Sequence, residues 1–409
     1  MAPRRHKPSL ARRFHHPTAA LPFTLLFALV LASAQPVAAQ TLNVLHAFTG
    51  DQDGGQPFAG LTFDQRGFLY GTTISGYFGY GMVFQLKPAN GGWLFQVLHT
   101  FRGGPNDGAG PSGPVTIGPN GTVYLSTYGG GDNPSCPGGC GTIYNVRPPQ
   151  TACKTALCDW AGGIVYAFQG GNDGNGPNYT PVFDGAGNLY GTTNSGGPSN
   201  DGTVFKLTHS NGIWTESVIH AFTGPDGAGP EGLAWDATDN LYGSAVAGGT
   251  GNGGTVYQLA PSGDAWVEST LYKFASLYVG LPSPVTLDAA GNIYGSTTNG
   301  QGTIWELSPS GGQWIYSLLE NFGSSPLALD AAGNLYGITW AGGGHNYGSI
   351  FELTPSNGGW IFTDLYDFQG TDDGFFPVGP VLLDGKGNIF GVASSGGAYG
   401  WGTVWEFTP

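Results

Sequence analysis

The chain has 409 residues, of which 13 are basic and 27 are acidic, and its formal charge at pH 7 is −14. A surface with this excess of acid repels phosphate backbones and anionic lipids, which argues against nucleic acid and membrane surfaces as partners. The 74 glycines follow no G-X-Y period and indicate turn-rich β structure, because tight reversals with positive φ favour glycine.

The first 39 residues have the layout of a secretory signal peptide. Five basic residues precede an apolar run over residues 19–34, and Ala34 and Ala39 suit cleavage. The run is shorter than the roughly 20 residues of a spanning helix, so no membrane span is expected in the mature chain. Cleavage after Ala39 would remove five basic and no acidic residues and change the formal charge from −14 to −19. The sequence therefore predicts export to an extracellular, periplasmic or cell-surface location, with one domain over residues 40–409.

Four short patterns recur in a fixed order, and each suits one strand of a four-stranded antiparallel blade. The first two form a hairpin, as in residues 285–288 and 293–296. The third begins with Gly, as in residues 202–207, and the fourth ends on Phe, as in residues 218–222. In six hairpins an aromatic residue follows an Asp by six positions: Asp64 and Tyr70, Asp184 and Tyr190, Asp236 and Tyr242, Asp288 and Tyr294, Asp330 and Tyr336, and Asp384 and Phe390.

The order of these patterns implies a closed ring. The chain opens on a fourth-strand pattern at residues 44–48 and stops just after a Gly-led strand at residues 402–407. Pairing of residues 42–48 with residues 402–407 would complete seven blades and remove the unpaired edges of an open array. The sequence thus predicts an all-β, seven-bladed β-propeller of four-stranded antiparallel blades. The alternative, a β-solenoid, suits four hairpin-linked strands per repeat less well.

The repeat resembles a known family. Residues 187–205 contain Gly-Asn-Leu-Tyr-Gly-Thr-Thr, then Ser-Gly-Gly and Gly-Thr-Val-Phe. In this pattern, and in its recurrence from Leu42 to Pro409, the chain is similar to the Gloeo/Verruco (GloVer) tandem-repeat family of exported bacterial proteins. The resemblance implies export and a repeat architecture, and it implies no particular activity or catalytic residue.

All four cysteines lie in an enlarged insertion of the second repeat, at about residues 129–163: Cys136, Cys140, Cys153 and Cys158. In the oxidising space that an exported protein reaches, an even cluster of this kind usually forms disulfides. Of the three pairings, the local ones are favoured, Cys136 with Cys140 and Cys153 with Cys158. The alternative is a zinc site held by four thiolates.

Two sets of aspartates recur. The hairpin Asp is interpreted as a turn residue that accepts local backbone N–H bonds, rather than as a catalytic carboxylate. A second set lies in inter-repeat loops that read D-G-x-x-P, for which a tight turn without a ligand is favoured; Ca²⁺ binding, suggested by nearby oxygen donors such as Asp51 and Asn106, is the alternative. The calcium hypothesis names five residues: Asp53, Asp107, Asp173, Asp226 and Asp373.

Aromatic residues gather on loops at one rim of the predicted ring. Exposed rings beside amides and hydroxyls suit stacking on sugar rings or apolar ligands, whereas rings packed between blades would have a structural role only. The candidate ligand-binding residues are Tyr77, Tyr80, Trp340, His345, Tyr347, Tyr399 and Trp401.

These features predict a secreted binding module for an extracellular glycan or a similar neutral ligand. Two alternatives stay open: a metal-assisted lyase or lactonase, which rests on analogy with other propellers, and an extracellular scaffold that binds protein partners. The sequence contains no H-E-x-x-H or G-x-S-x-G pattern, which removes the simplest metalloprotease and α/β-hydrolase interpretations. An enzyme is therefore the less favoured interpretation.

Overall fold

The computed structural model describes residues 40–131, 133–149, 160–276, 282–298 and 302–409. Gln40–Pro409 forms one compact unit. Its strands form seven antiparallel sheets, which are the blades of a seven-bladed β-propeller, as predicted. The predicted signal peptide, residues 1–39, lies outside the described residues.

The blades are numbered in chain order, and each begins at its innermost strand, which consists of two short segments in blades 1 and 2. Blade 1 consists of β2 (Gly55–Pro57), β3 (Thr62–Phe63), β4 (Leu69–Ser75), β5 (Met82–Ala89) and β6 (Gly92–Thr100). Blade 2 consists of β7 (Gly108–Pro111), β8 (Thr116–Ile117), β9 (Val123–Gly130), β10 (Thr142–Arg147) and β11 (Ala161–Ala167). Blade 3 consists of β12 (Asn175–Phe183), β13 (Leu189–Ser195), β14 (Thr203–Ser210) and β15 (Ile213–Ala221).

The remaining blades repeat this order. Blade 4 consists of β16 (Ala228–Trp235), β17 (Leu241–Ala247), β18 (Thr255–Ser262) and β19 (Ala265–Lys273). Blade 5 consists of β20 (Thr286–Leu287), β21 (Ile293–Thr297), β22 (Thr303–Ser310) and β23 (Gln313–Glu320). Blade 6 consists of β24 (Ala328–Leu329), β25 (Leu335–Thr339), β26 (Ser349–Ser356) and β27 (Gly359–Asp367). Blade 7 consists of β28 (Phe375–Leu383), β29 (Ile389–Ser395), β30 (Thr403–Thr408) and β1 (Thr41–Ala47).

The first strand of the chain closes the ring. β1 pairs antiparallel with β30, from Thr41 opposite Thr408 to Ala47 opposite Thr403. The backbone N–H of Phe48 also donates to the carbonyl of Gly402, at 3.0 Å. This pairing confirms the predicted closure, and its bounds differ by one residue from those predicted. Blade 7 is thus built from both ends of the chain, which gives β30 a partner on each side.

The hydrophobic core lies between consecutive blades. Tyr70 and Val83 of blade 1, for example, pack with Val123 of blade 2 in one buried cluster. The glycine after the hairpin aromatic leaves room for a large ring of the third strand: a Cβ on Gly391 would lie 2.2 Å from the Trp405 ring. Six repeats share this pairing of a Gly with a bulky ring, and the second repeat, which has Leu125 after Tyr124, departs from it.

The hairpin aspartates hold their turns by local hydrogen bonds. Asp184 accepts the backbone N–H groups of Ala186 and Asn188, at 2.9 and 2.8 Å, and the Tyr190 hydroxyl, at 3.2 Å. Burial raises the pKa of Asp184, but the hydrogen bonds from Asn188 and Tyr190 outweigh it, and the net pKa is below the usual value. These contacts account for the Asp that recurs ahead of the aromatic residue.

Among the described residues, no helix is long and apolar enough to cross a membrane.

Candidate functional site

A cavity of about 600 Å³ opens at the propeller axis. It lies on the rim formed by the loops that precede each first strand and the loops between second and third strands. Blades 1, 2, 3, 5, 6 and 7 contribute to its wall, which combines aromatic rings and prolines with hydroxyl and amide groups. The described residues that line it carry no charge: Phe58, Ala59, Ser112, Gly113, Pro114, Asn178, Tyr179, Thr298, Gly323, Ser324, Ser325, Pro326, Trp340, Ala341, Pro377, Val378, Gly379 and Pro380.

One position of the innermost strand forms a ring around this axis. It lies five residues before the hairpin Asp, or before Gly118 in blade 2, and is occupied in blade order by Ala59, Gly113, Tyr179, Glu231, Ser283, Ser325 and Gly379. Five of these residues line the cavity, and Glu231 and Ser283 hold the other two positions. Small residues occupy five blades, so Tyr179 and Glu231 are departures from the repeat that sit side by side in blades 3 and 4.

Glu231 lies in an environment that favours its protonated form. The side chain is half-buried, and its Oε2 atom is buried and has no hydrogen-bond partner among the described residues. Burial raises the pKa of Glu231 to about 8, and the hydrogen bond from the Tyr179 hydroxyl lowers it only in part. In turn, burial and then the charge of Glu231 raise the pKa of Tyr179 well above its usual value. The pair therefore carries two groups that hold their protons at neutral pH.

Tyr257 of β18 is a second phenol on which the charge of Glu231 acts. Its ring occupies the space over Gly243, where a Cβ would lie 2.4 Å from the phenol oxygen. The hydroxyl is buried without a hydrogen-bond partner among the described residues, and burial and then the charge of Glu231 raise the pKa of Tyr257. The same slot holds Phe in blades 1, 3 and 6, Trp in blades 5 and 7, and a second Tyr, Tyr144, in blade 2.

A pair of stacked rings stands at the mouth of the cavity. Trp340 is 59% exposed and stacks on Phe376, with ring centroids 4.5 Å apart and planes 17° from parallel. Phe376 directly precedes Pro377, the proline of the D-G-x-x-P loop in blade 7. Its φ is +57°, in the left-handed region. Blades 2, 3 and 4 have Gly there with a similar φ, so Phe376 takes a conformation that is costly for a side chain of its size. Phe58, which is 57% exposed, contributes a further ring to the wall.

Of the predicted ligand-binding residues, only Trp340 lines the cavity. Several others pack on backbone of the next blade while remaining partly exposed: Tyr80 lies over Gly103, Tyr347 over Gly370, and Trp401 over Gly50. Exposed Tyr77 contacts the ring of Phe78, and Tyr399 and His345 are exposed on the same rim. The structure thus places one predicted aromatic in the cavity and distributes the rest around its rim.

The D-G-x-x-P carboxylates hold the inter-blade loops. Asp226 accepts hydrogen bonds from the His220 ring and from the backbone N–H of Thr223, at 3.0 and 2.8 Å. Asp373 likewise accepts the Tyr366 hydroxyl at 2.9 Å. The corresponding pairs in the other three loops are His46 with Asp53, His99 with Asp107, and Tyr166 with Asp173. Each carboxylate is therefore bonded to protein donors, and calcium binding there stays an untested alternative.

Within the described residues, no group of three or more His, Cys, Asp or Glu is arranged to hold a metal ion. Cys136 and Cys140 form a disulfide, which agrees with the predicted local pairing. Its two sulfurs lie close to Gly170, on the loop that leads into blade 3. Cys153 and Cys158 lie outside the described residues.

Sequence analysis missed Phe58, Tyr179 and Glu231 as site residues. Tyr179 and Glu231 lie on the inner strands β12 and β16, and Phe58 lies between β2 and β3, whereas the predicted ligand residues belong to rim loops. A signal was present in the aligned repeats, because only blades 3 and 4 replace the small residue five positions before the hairpin Asp.

The sequence was compared with families and with curated proteins. A family model described as the Gloeobacter/Verrucomicrobia repeat matches residues 137–328 and 282–409. The sequence matches none of the curated proteins.

Several solved structures share the fold. Virginiamycin B lyase from Staphylococcus aureus is 14% identical with a TM-score of 0.56, and the match covers 90% of this chain and 99% of that chain. The polysaccharide lyase Uly1 is 13% identical with a TM-score of 0.52, over 92% and 94% of the two chains. A putative 6-phosphogluconolactonase from Bacteroides uniformis is 14% identical with a TM-score of 0.52, over 74% and 82%. At these identities the likeness establishes the propeller fold alone.

Proposed function

The chain belongs to the Gloeobacter/Verrucomicrobia repeat family, and we propose that it is an exported propeller that binds a neutral carbohydrate, or a neutral ligand of similar chemistry, in the central cavity. The observation that carries this proposal is an aromatic-walled cavity, with no charge on its described lining residues, on the axis of a strongly acidic protein. Its volume of about 600 Å³ lies within the range of small-molecule sites.

The chemistry of the wall supports a sugar. Exposed rings such as Trp340 and Phe58 offer apolar faces on which the C–H face of a sugar ring can stack. Hydroxyl and amide groups such as Ser112, Ser325 and Asn178 can exchange hydrogen bonds with ligand hydroxyls. A charged ligand would find no described lining residue of opposite charge, which favours a neutral one.

Export is part of the proposal. The basic and apolar segments of residues 1–39 support it, as does the disulfide between Cys136 and Cys140, because disulfides persist in oxidising compartments. Mass spectrometry of the protein recovered from the producing bacterium would test this part directly. A mature N-terminus near residue 40 in an extracytoplasmic fraction is expected, and an intact N-terminus in the cytosol would contradict it.

The binding proposal is tested by calorimetry on residues 40–409, which contain the complete ring. A panel of neutral hexasaccharides with cello-, malto-, xylo- and manno-type linkages would be titrated into the parent protein. We expect at least one to bind, and Trp340→Ala to weaken it about tenfold or more, because stacked rings are worth on the order of 1 kcal/mol or more beyond the area they bury.

The matched control is Tyr399→Ala. Tyr399 is an aromatic residue of the same rim that is 62% exposed and does not line the cavity. Its removal should leave the affinity within about twofold, since exposed contacts contribute little. Failure of every oligosaccharide to bind, or equal loss in the two variants, would contradict the proposal.

A second candidate is an enzyme of the lyase or lactonase type. It is favoured by one observation: Glu231 has its pKa raised to about 8 by burial and therefore suits acid–base chemistry near neutral pH. The two lyases and the putative lactonase that share the fold are at most 14% identical to this chain. Turnover of a lactone or of a uronate polysaccharide that disappears in Glu231→Gln would support this candidate, and turnover retained in that variant would remove it.

A further inference from the structure

Because the seven blades are repeats of one unit, each residue near the axis can be compared with the residues at the same position in the other blades. In five blades the position five residues before the hairpin turn is Ala, Gly or Ser, which is all that packing of the inner strand requires. Blade 4 has Glu231 there, and its neighbour in blade 3 has Tyr179. A carboxyl group at this position costs desolvation that the fold does not demand, because the other blades form without it.

Among the described residues, no positive group compensates the carboxyl of Glu231. The titratable groups that face it are the phenols of Tyr179, on β12, and Tyr257, on β18. The Tyr179 hydroxyl hydrogen-bonds to the carboxyl, and Oε2 is left without a partner among the described residues. A single carboxyl with an unused oxygen is a poor cation site, since hard cations take six or more oxygen ligands. It is well suited to share a hydrogen bond with another neutral group.

The position also gives the carboxyl access to a ligand. Five of its counterparts, Tyr179 among them, line the central cavity. Because the blades are related by rotation about the axis, Glu231 is placed on the same ring beside the lining residue Tyr179, with its side chain partly exposed and its Oε2 atom buried. Tyr179 has φ +60°, a left-handed conformation that is rare for a bulky residue and that is often kept at functional sites.

From these observations we infer that Glu231 and Tyr179 form the polar anchor of the central cavity, an acid–phenol pair in which the Glu231 carboxyl donates a hydrogen bond to a hydroxyl, ether or carbonyl oxygen of the ligand. The inference rests on the proposed function and adds the group that orients the sugar. The raised pKa of Glu231 is consistent with this role, because the donor is then present at neutral pH and absent in alkali.

The first test needs no sugar. N,N′-dicyclohexylcarbodiimide is a neutral, apolar reagent that adds to protonated carboxyl groups and remains attached as an N-acylurea. We expect peptide mapping by mass spectrometry to find the adduct on Glu231 at pH 6, with labelling reduced about tenfold at pH 9 as the carboxyl ionises. No adduct at either pH, or equal labelling at both, would overturn the inference.

The second test measures affinity against pH for the tightest-binding hexasaccharide of the panel. The parent should lose affinity about tenfold between pH 6 and pH 9, since a lost hydrogen bond from a buried donor has this order of effect. Glu231→Gln keeps an N–H donor and should bind at both pH values without that dependence, whereas Glu231→Leu should bind weakly at both. Tyr179→Phe removes the hydroxyl that hydrogen-bonds to Glu231, and this variant should also bind the hexasaccharide more weakly.

The matched control is Glu216→Gln. Glu216 lies on the outer strand β15, away from the cavity, and burial and then the charge of Asp173 raise its pKa to about 8 as well. This variant should keep the parent's pH profile of binding.

The tests distinguish failure of the proposed function from failure of the further inference. Binding that depends on Trp340 but not on Glu231 or pH would leave the proposed function standing and overturn the inference. Labelling of Glu231 without sugar binding would refute the proposed function and leave an accessible acid at the axis.

Discussion

The buried carboxyl of Glu231 should make the stability of the propeller depend on pH. Burial raises its pKa from 4.5 in the unfolded chain to about 8 in the folded protein. Between these values the folded state binds more protons than the unfolded state, so the contribution of Glu231 to stability is fully present below pH 4.5 and is lost as the pH rises towards 8. Over pH 5 to 8 the loss amounts to about 3 kcal/mol, at about 1.4 kcal/mol per pH unit.

Replacement of Glu231 by Gln removes the ionisable carboxyl group and keeps the size of the side chain. We therefore expect Glu231→Gln to gain about 3 kcal/mol relative to the parent when the pH is raised from 5 to 8. Urea denaturation followed by tryptophan fluorescence would measure the free energy of unfolding of both proteins at the two pH values. The slope with urea concentration should be equal in the two proteins, since the surface exposed on unfolding is the same.

Glu320→Gln supplies the matched control, because it removes the same charge from the outer strand β23. In the Glu320→Gln variant, the free energy of unfolding should depend on pH as it does in the parent protein. If Glu231→Gln also retains that dependence in full, the carboxyl of Glu231 is ionised in the folded protein near its ordinary pKa, and the account of the buried acid is wrong.

Further predictions concern the repeat itself. Gly391→Ala should destabilise the protein by about 3 kcal/mol in urea denaturation, because the new Cβ would lie 2.2 Å from the Trp405 ring, whereas Gly385→Ala, with open space around it, should change stability little. Asp184→Ala should cost about 2 kcal/mol, because it leaves the turn N–H groups without an acceptor, and the loss should diminish in acid, where the carboxylate of the parent is itself protonated. Deletion of residues 41–47 should expose the edge of β30 and produce aggregation in light scattering; a monodisperse product would contradict the closure. Removal of calcium by EDTA should change the melting temperature by about 2 °C or less, and a much larger drop would support calcium in the D-G-x-x-P loops.

Much of the fold could be predicted because its determinants are local and repeated. Asp184 and Tyr190 lie six residues apart and bond within a single turn, so the pattern is visible without knowledge of tertiary structure. The offset order of the strand patterns predicted the pairing of β1 with β30. A fourth-strand pattern at the start of the repeats and a missing fourth strand in the last repeat are both explained if the two pair in one blade.

The candidate site was less accessible to sequence reasoning. Trp401 and Trp340 are both aromatic residues on rim loops, and the sequence does not distinguish the ring that packs over Gly50 from the ring that lines the cavity. That distinction depends on where each loop lies relative to the axis. Glu231 was overlooked because its role depends on the register of an inner strand and on contacts with Tyr179, which belongs to another blade.

A crystal structure of residues 40–409 with the tightest-binding hexasaccharide would locate the bound sugar. We expect the sugar in the central cavity, with a ring stacked on Trp340 and an oxygen within hydrogen-bond distance of the Glu231 carboxyl. A sugar bound on the outer strands, or on the rim at Trp401 with the central cavity empty, would refute the proposed site.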